Sequence, residues 1–104
     1  MPGTLGFTVV ITDLDRPVVA VTGEVDYPSA ATFAAFVIEI DGARDVIIDL
    51  SAVSYLDASG ISALLNVHRH LEAGGRHLTV RGARGSPRKV IEITGLEALF
   101  DLQD

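Results

Sequence analysis

The feature that most constrains this chain is a repeated change of its hydrophobic period. Residues 7–12 and 17–22 are β-branched runs on either side of a turn-rich stretch, which predicts an antiparallel hairpin whose second strand ends at Gly23. From Asp26 the apolar residues recur at helical spacing. Residues 45–50 then form a short apolar run, which is typical of a central, parallel strand covered on both faces.

Helix start and stop signals divide the rest of the chain. Asp26 or Tyr27 would cap a first helix, Pro28 suits its first turn and Gly42 ends it. Asp57 is a natural N-cap for a second helix that Gly74 and Gly75 end. The apolar face predicted for this second helix consists of Ile61, Leu64, Leu65, His68 and Leu71.

A strand is predicted over residues 76–81 and a third helix from Ser86 to a stop at Gly95. The order is therefore β-β-α-β-α-β-α, with a last strand within residues 96–102 left open. Strands that alternate with helices imply a mostly parallel sheet, so we expect an α/β fold with a mixed sheet and helices packed on it.

Composition narrows the function classes. The 104 residues suit one domain, 1–104, and the absence of cysteine excludes disulfide frameworks, zinc ribbons and cysteine nucleophiles. A net charge of −6 argues against nucleic acid as a partner. No apolar run approaches the roughly 18 residues of a membrane span, so we expect a cytoplasmic protein without membrane insertion.

The sequence contains no strong enzyme or metal-binding motif. The chain has no Gly-x-Ser-x-Gly elbow and no glycine-rich phosphate loop, so we expect no catalytic residues and no cofactor. His68 and Glu72 are spaced to share a metal, but a half-buried, packed histidine is the preferred interpretation and no metal site is expected. Asp26 and Asp57 are either a carboxylate pair or two helix caps.

Four segments, in this order and spacing, resemble the STAS domain of bacterial anti-sigma factor antagonists. They are residues 22–26 (Thr-Gly-Glu-Val-Asp), 46–50 (Val-Ile-Ile-Asp-Leu), 53–61 (Val-Ser-Tyr-Leu-Asp-Ala-Ser-Gly-Ile) and 90–100 (Val-Ile-Glu-Ile-Thr-Gly-Leu-Glu-Ala-Leu-Phe). The resemblance covers nearly the whole chain. It implies a regulator that binds an anti-sigma factor, usually a serine kinase, and so frees a sigma factor for transcription. ATP and Mg²⁺ would belong to that partner.

The resemblance also implies a phosphorylation switch at the start of the second helix, and here the chain departs from the pattern. The usual acceptor is the first hydroxyl residue after the aspartate, and this position is Ala58. Either Ser59 is the acceptor, or the chain binds its partner without this switch, or it belongs to a branch that has no kinase. For Ser59 taken without the resemblance, an ordinary first-turn residue is the preferred interpretation.

The positions that match the family's partner-contacting region lie at the starts of the first two helices and along the second. They are Asp26, Tyr27, Asp57, Ala58, Ser59, Gly60, Ile61, Ser62, Asn66 and Arg69.

Two other functions stay open, as does the oligomeric state. One is a phosphorylation-independent STAS subunit of a membrane transport complex, which Ala58 favours. The other is a module that binds a nucleotide or another anion through the basic residues between positions 76 and 89, although a solvated face is the preferred interpretation of these residues.

Overall fold

The computed structural model describes residues 6–11, 17–39 and 45–104. Its elements are β1 (Gly6–Ile11), β2 (Pro17–Val25), α1 (Tyr27–Glu39), β3 (Val46–Leu56), α2 (Ala58–Ala73), β4 (Leu78–Arg81) and α3 (Gly85–Ile93). The predicted turn at 12–16 and the predicted stop of α1 at Gly42 lie outside the described residues.

The strands form one sheet in the order β1-β2-β3-β4. β1 pairs antiparallel with β2, whereas β2–β3 and β3–β4 are parallel. The predicted α/β class, the hairpin and the mostly parallel mixed sheet are therefore confirmed.

β3 is central, as predicted, and its first residues are covered on both faces. Ile47 and Ile48 point to opposite sides of the sheet because side chains alternate along a strand. Their exposed fractions are only 7% and 0%. The strand is longer than predicted, since it continues beyond residue 50 to Leu56.

Two other predicted strand boundaries, the end of β2 and the start of β4, are wrong. β2 does not stop at Gly23 but continues to Val25. Gly23 has a φ of 95° and lies at a shift in the β2–β3 register, so it forms an irregularity within the strand. At the other side of the sheet, β4 begins at Leu78, not at residue 76. The last strand that was left open within residues 96–102 does not form there, but Gln103, just beyond that range, makes an isolated parallel bridge with Arg81.

The core lies where the helices pack on the sheet. It combines Phe33 and Val37 of α1, Leu64 and Leu71 of α2 and Ile91 of α3 with the inward side chains of β2, β3 and β4. α2 ends at Ala73 and is followed by Gly75 with a φ of 72°, as the glycine pair predicted. Among the described helices, none has both the length and the apolar character that crossing a membrane requires.

Candidate functional site

α1 and α2 begin side by side at one edge of the sheet. Val25 and Leu56, the last residues of β2 and β3, are paired in the parallel register. The backbone N–H of Asp57 donates to the Val25 carbonyl at 3.4 Å. The two strand-to-helix junctions that carry the predicted site residues are therefore neighbours, and we call the surface of Asp26, Asp57, Ala58, Ser59 and Ser62 the helix-start edge.

Asp57 is the N-cap of α2, as predicted. Its backbone is extended, with φ −110° and ψ −169°. Its Oδ1 accepts the backbone N–H groups of Ser59 at 2.9 Å and of Gly60 at 3.1 Å. These bonds satisfy two of the N–H groups that a helix leaves unpaired at its start, so the capping role explains this carboxylate.

Asp26 is held by a side chain that the sequence analysis missed. The Asp26 backbone N–H donates to the Ser29 hydroxyl at 3.1 Å, and that hydroxyl donates to Asp26 Oδ1 at 2.9 Å. The Asp26 carbonyl accepts the N–H of Ala30 at 2.8 Å, which places Asp26 at the start of α1. The Asp-x-x-Ser spacing resembles a capping box and was the signal available in the sequence. Each aspartate thus serves its own helix, and this supports the capping interpretation over a carboxylate pair.

Gly60 lets α2 approach the sheet closely. A Cβ at this position would overlap the Leu56 side chain and would lie 3.0 Å from the Val25 carbonyl oxygen. Gly60 and Ile61 are both buried. These two predicted site residues therefore lie beneath the surface of the helix-start edge, and neither presents a side chain to solvent.

The remaining predicted residues reach solvent to different degrees. Ala58, Ser62, Asn66 and Arg69 are exposed, whereas Ser59 is half-buried. Tyr27 is the first residue of α1. A groove of about 530 Å³ runs between α1 and α2, and its lining consists of Ala30, Ala31, Ala34, Ser59, Ser62, Ala63 and Asn66. Ser59 therefore faces α1 across this groove, while Ala58 lies on the open side of the first turn.

Two arginines of the basic stretch between residues 76 and 89 form ion pairs with acidic side chains from outside that stretch. Arg81 Nε lies 3.1 Å from Asp49 Oδ2, and Arg88 pairs with both Glu92 at 3.2 Å and Asp104 at 2.8 Å. Burial opposes the charge of Asp49, but hydrogen bonds from Ser51 and Arg81 outweigh it and lower the pKa of this carboxyl. These pairings favour a solvated, internally neutralised face over an anion site.

His68 is half-buried, with 15% of its side chain exposed, and its Nε2 lies 3.5 Å from Glu72 Oε2. This agrees with the packing interpretation. Within residues 6–11, 17–39 and 45–104, no cluster of three or more His, Cys, Asp or Glu side chains could hold a metal ion.

Fold and site together define a small α/β module that presents two capped helix starts, a hydroxyl group and a groove at one edge of its sheet. The chain belongs to the STAS domain family, whose profile matches residues 8–104. The resemblance given by its four sequence segments is therefore confirmed.

Comparisons with individual proteins agree with this family. The chain is 30% identical to the anti-sigma-B factor antagonist of Staphylococcus aureus over 64 residues, which are 62% of this chain and 59% of that protein. It thus covers less than two thirds of that relative's length. An anti-sigma factor antagonist from Mycobacterium paratuberculosis superimposes with a TM-score of 0.81 and 27% identity, over 99% of this chain and 88% of that structure. A sulfate transporter family protein from Wolinella succinogenes shares the fold, with a TM-score of 0.73, 20% identity and coverage of 91% and 81%.

Proposed function

We propose that this chain is an anti-sigma factor antagonist, a regulatory protein that binds an anti-sigma factor and so releases a sigma factor for transcription. The observation that carries the proposal is the likeness to the mycobacterial antagonist, which extends over 99% of the chain at 27% identity. The S. aureus relative has the same kind of name. We further propose that residues 1–104 act as a single cytoplasmic domain.

The helix-start edge is the proposed docking surface, extended along α2 by Asn66 and Arg69 and onto the first residue of α1, Tyr27. Its support is structural: exposed side chains of α2 lie beside the groove between α1 and α2, and Gly60 and Ile61 are buried beneath them. The capping bonds of Asp57 hold the first turn of α2 in place before any partner arrives. A preformed surface avoids part of the ordering cost of association.

Ser59 is the proposed phosphorylation acceptor, because the usual acceptor position is Ala58. A phosphate at Ser59 would add a charge of about −2 in a groove whose opposite wall is formed by alanines of α1, close to the Asp57 carboxylate. Like-charge repulsion and desolvation would then oppose docking of a partner on this surface. The proposed partner is a serine kinase, which would supply ATP and Mg²⁺.

A second candidate is a STAS subunit of a membrane transport complex that needs no phosphorylation. The specific observation in its favour is Ala58, which is exposed where the family usually carries the acceptor hydroxyl. The W. succinogenes protein has the same fold, so the fold alone is compatible with either role.

Capture of partners from a lysate of the source organism separates the two functions. Wild type, Ser59→Asp and Ser59→Ala are used as bait, and Ser86→Asp is the matched control because it adds the same charge at an exposed serine in the first turn of α3. The captured proteins are identified by mass spectrometry.

We expect wild type, Ser59→Ala and Ser86→Asp to capture a kinase-type anti-sigma factor and Ser59→Asp to lose it. Equal capture by all four baits would preserve the antagonist role and remove Ser59 as the switch. Capture of transporter subunits without an anti-sigma factor would overturn the antagonist role.

A further inference from the structure

The two aspartates of the helix-start edge begin their helices in different ways. Asp57 uses its carboxylate to accept the backbone N–H groups of the second and third residues of α2. In α1 the second residue is Pro28, which has no N–H to donate. The third residue, Ser29, directs its N–H to the Asp26 carbonyl at 3.2 Å. Within the described part of the chain, no backbone N–H therefore donates to the Asp26 carboxylate, and this carboxylate does not cap α1 in the way that Asp57 caps α2.

The Ser29 hydroxyl group holds the Asp26 carboxylate instead. It donates to Asp26 Oδ1 at 2.9 Å and accepts the Asp26 backbone N–H at 3.1 Å, so the side chain and the backbone of Asp26 bond to one oxygen atom. The same hydroxyl lies 3.3 Å from the Glu24 carbonyl of β2. Hydrogen bonds to an ionised carboxylate are stronger than those between neutral groups. The direction of the Asp26 side chain is therefore set by Ser29.

The second carboxylate oxygen of Asp26 is left for another molecule. Oδ1 is bonded to Ser29, and among the described residues no donor lies within hydrogen-bond distance of Oδ2. Asp26 is half-buried, so its carboxylate is only partly surrounded by water. A carboxylate that already points in one direction avoids part of the ordering cost when a partner binds.

We propose that Ser29 is a positioning residue, which holds the Asp26 carboxylate so that Oδ2 is presented to a hydrogen-bond donor of the docked partner. Ser29 acts through Asp26 and does not have to touch the partner itself. The proposal rests on the function proposed above, because it requires an anti-sigma factor at the helix-start edge. It adds to the docking surface a residue whose hydroxyl group is needed for affinity.

Calorimetric titration with the anti-sigma factor identified in the capture experiment, once purified, measures the Kd of each folded variant. Ser29→Ala removes the hydroxyl group and Ser29→Thr keeps it, whereas Thr32→Ala removes an exposed hydroxyl group elsewhere on α1 and is the matched control. We expect Ser29→Ala to weaken binding about tenfold, because the bond that it removes is made to a charged group. Ser29→Thr and Thr32→Ala should bind as tightly as wild type.

A double-mutant cycle with Asp26→Ala separates positioning from a purely structural role. Ser29→Ala should have no further effect on the Kd of a chain that already carries Asp26→Ala. A structural role would instead lower the free energy of unfolding, measured in urea, and leave the affinity of the folded variant unchanged. Wild-type affinity in Ser29→Ala, or an equal loss of affinity in both backgrounds, would overturn the proposal.

NMR tests the positioning without a partner, since three-bond coupling constants report the χ1 angle of Asp26. We expect one rotamer in wild type and in Ser29→Thr, and averaging over several rotamers in Ser29→Ala. An unchanged single rotamer in Ser29→Ala would show that Ser29 does not position Asp26. The two proposals fail in different ways: absence of any anti-sigma factor among the captured proteins overturns the proposed function, whereas tight binding of an anti-sigma factor by Ser29→Ala overturns only the role of Ser29.

Discussion

Two residues of the first turn of α2 perform different tasks in building the proposed docking surface. Asp57 supplies an acceptor for the backbone N–H groups of Ser59 and Gly60. Gly60 contributes by lacking a side chain, which allows the turn to lie against Leu56 and the Val25 carbonyl. One residue stabilises the turn and the other sets its depth, so their substitutions should have distinguishable effects.

Replacing the cap tests the first task. Asp57→Ala removes the acceptor and should lower the free energy of unfolding by about 1 kcal/mol, whereas Asp57→Asn keeps an acceptor oxygen and should lose clearly less. Urea denaturation of the three proteins measures the difference. Identical losses in the alanine and asparagine variants would mean that the capping oxygen does not stabilise the helix.

Gly60→Ala tests the second task. In an open helix the change to alanine would gain up to about 1 kcal/mol of helix propensity. Here the new methyl group meets the Leu56 side chain and the Val25 carbonyl, so we expect a net loss of about 1–3 kcal/mol. Ser62→Ala, an exposed change on the same helix, is the control for propensity in the denaturation experiment. A gain of stability in Gly60→Ala would contradict the close approach of α2 to the sheet.

At the scale of a single element, β3 changes character along its length. Its first residues are buried on both faces, whereas Ser51, Ala52, Ser54 and Tyr55 are exposed. Asp49 stands at the change, where its Oδ1 accepts the Ser51 N–H at 2.9 Å and the Ser51 hydroxyl at 2.6 Å. Its Oδ2 accepts Arg81 Nε at 3.1 Å across to β4. The carboxylate thus links two parallel strands at the point where their pairing ends.

The lowered pKa of Asp49 gives this link a pH dependence. Because the folded pKa of Asp49 lies below the ordinary pKa of an aspartate, its contribution to stability is fully present above the unfolded pKa. That contribution is lost as the pH falls through the folded pKa. We expect the stability of wild type to fall more steeply than that of Asp49→Asn between about pH 5 and pH 2, in urea denaturation at a series of pH values. Parallel curves for the two proteins would contradict the link.

At the scale of the whole molecule, the core draws side chains from far apart in the sequence. Phe100 follows α3 by several residues, yet it is as inaccessible as Phe33 of α1 and Leu64 of α2. Its backbone also accepts a hydrogen bond from Val80 of β4. The stretch after α3 is therefore an integral part of the fold.

Neighbouring residues in this stretch offer a matched pair of substitutions. Phe100→Ala empties a fully buried site and should cost about 3–5 kcal/mol. Leu99→Ala removes a side chain that is 39% exposed and should cost about 1 kcal/mol or less. Chemical denaturation of both variants measures the contrast, and similar small losses would show that Phe100 does not belong to the cooperative core.

Four features of the fold could be predicted from the sequence: the order of elements, the antiparallel start of the sheet, the central position of β3 and the limits of α2. Each depends on a local signal: a change of period, a capping aspartate or a glycine that can adopt a positive φ. Those signals act within a few residues of chain, so they can be read without knowing the neighbours. The family resemblance lay in the same local segments.

The ends of β2 and β3, the burial of the site residues and the position of residues 100–104 beside β4 could be known only from the folded chain. β2 passes Gly23 because β3 lies alongside to pair with it, and β3 continues to Leu56 for the same reason. Whether Ser59 faces a groove, and whether Asp101 accepts the Thr79 hydroxyl of β4, depends on elements that are distant in the sequence. Strand length, burial and side-chain contacts between elements depend on residues that are distant in the sequence. These residues come together only when the chain folds.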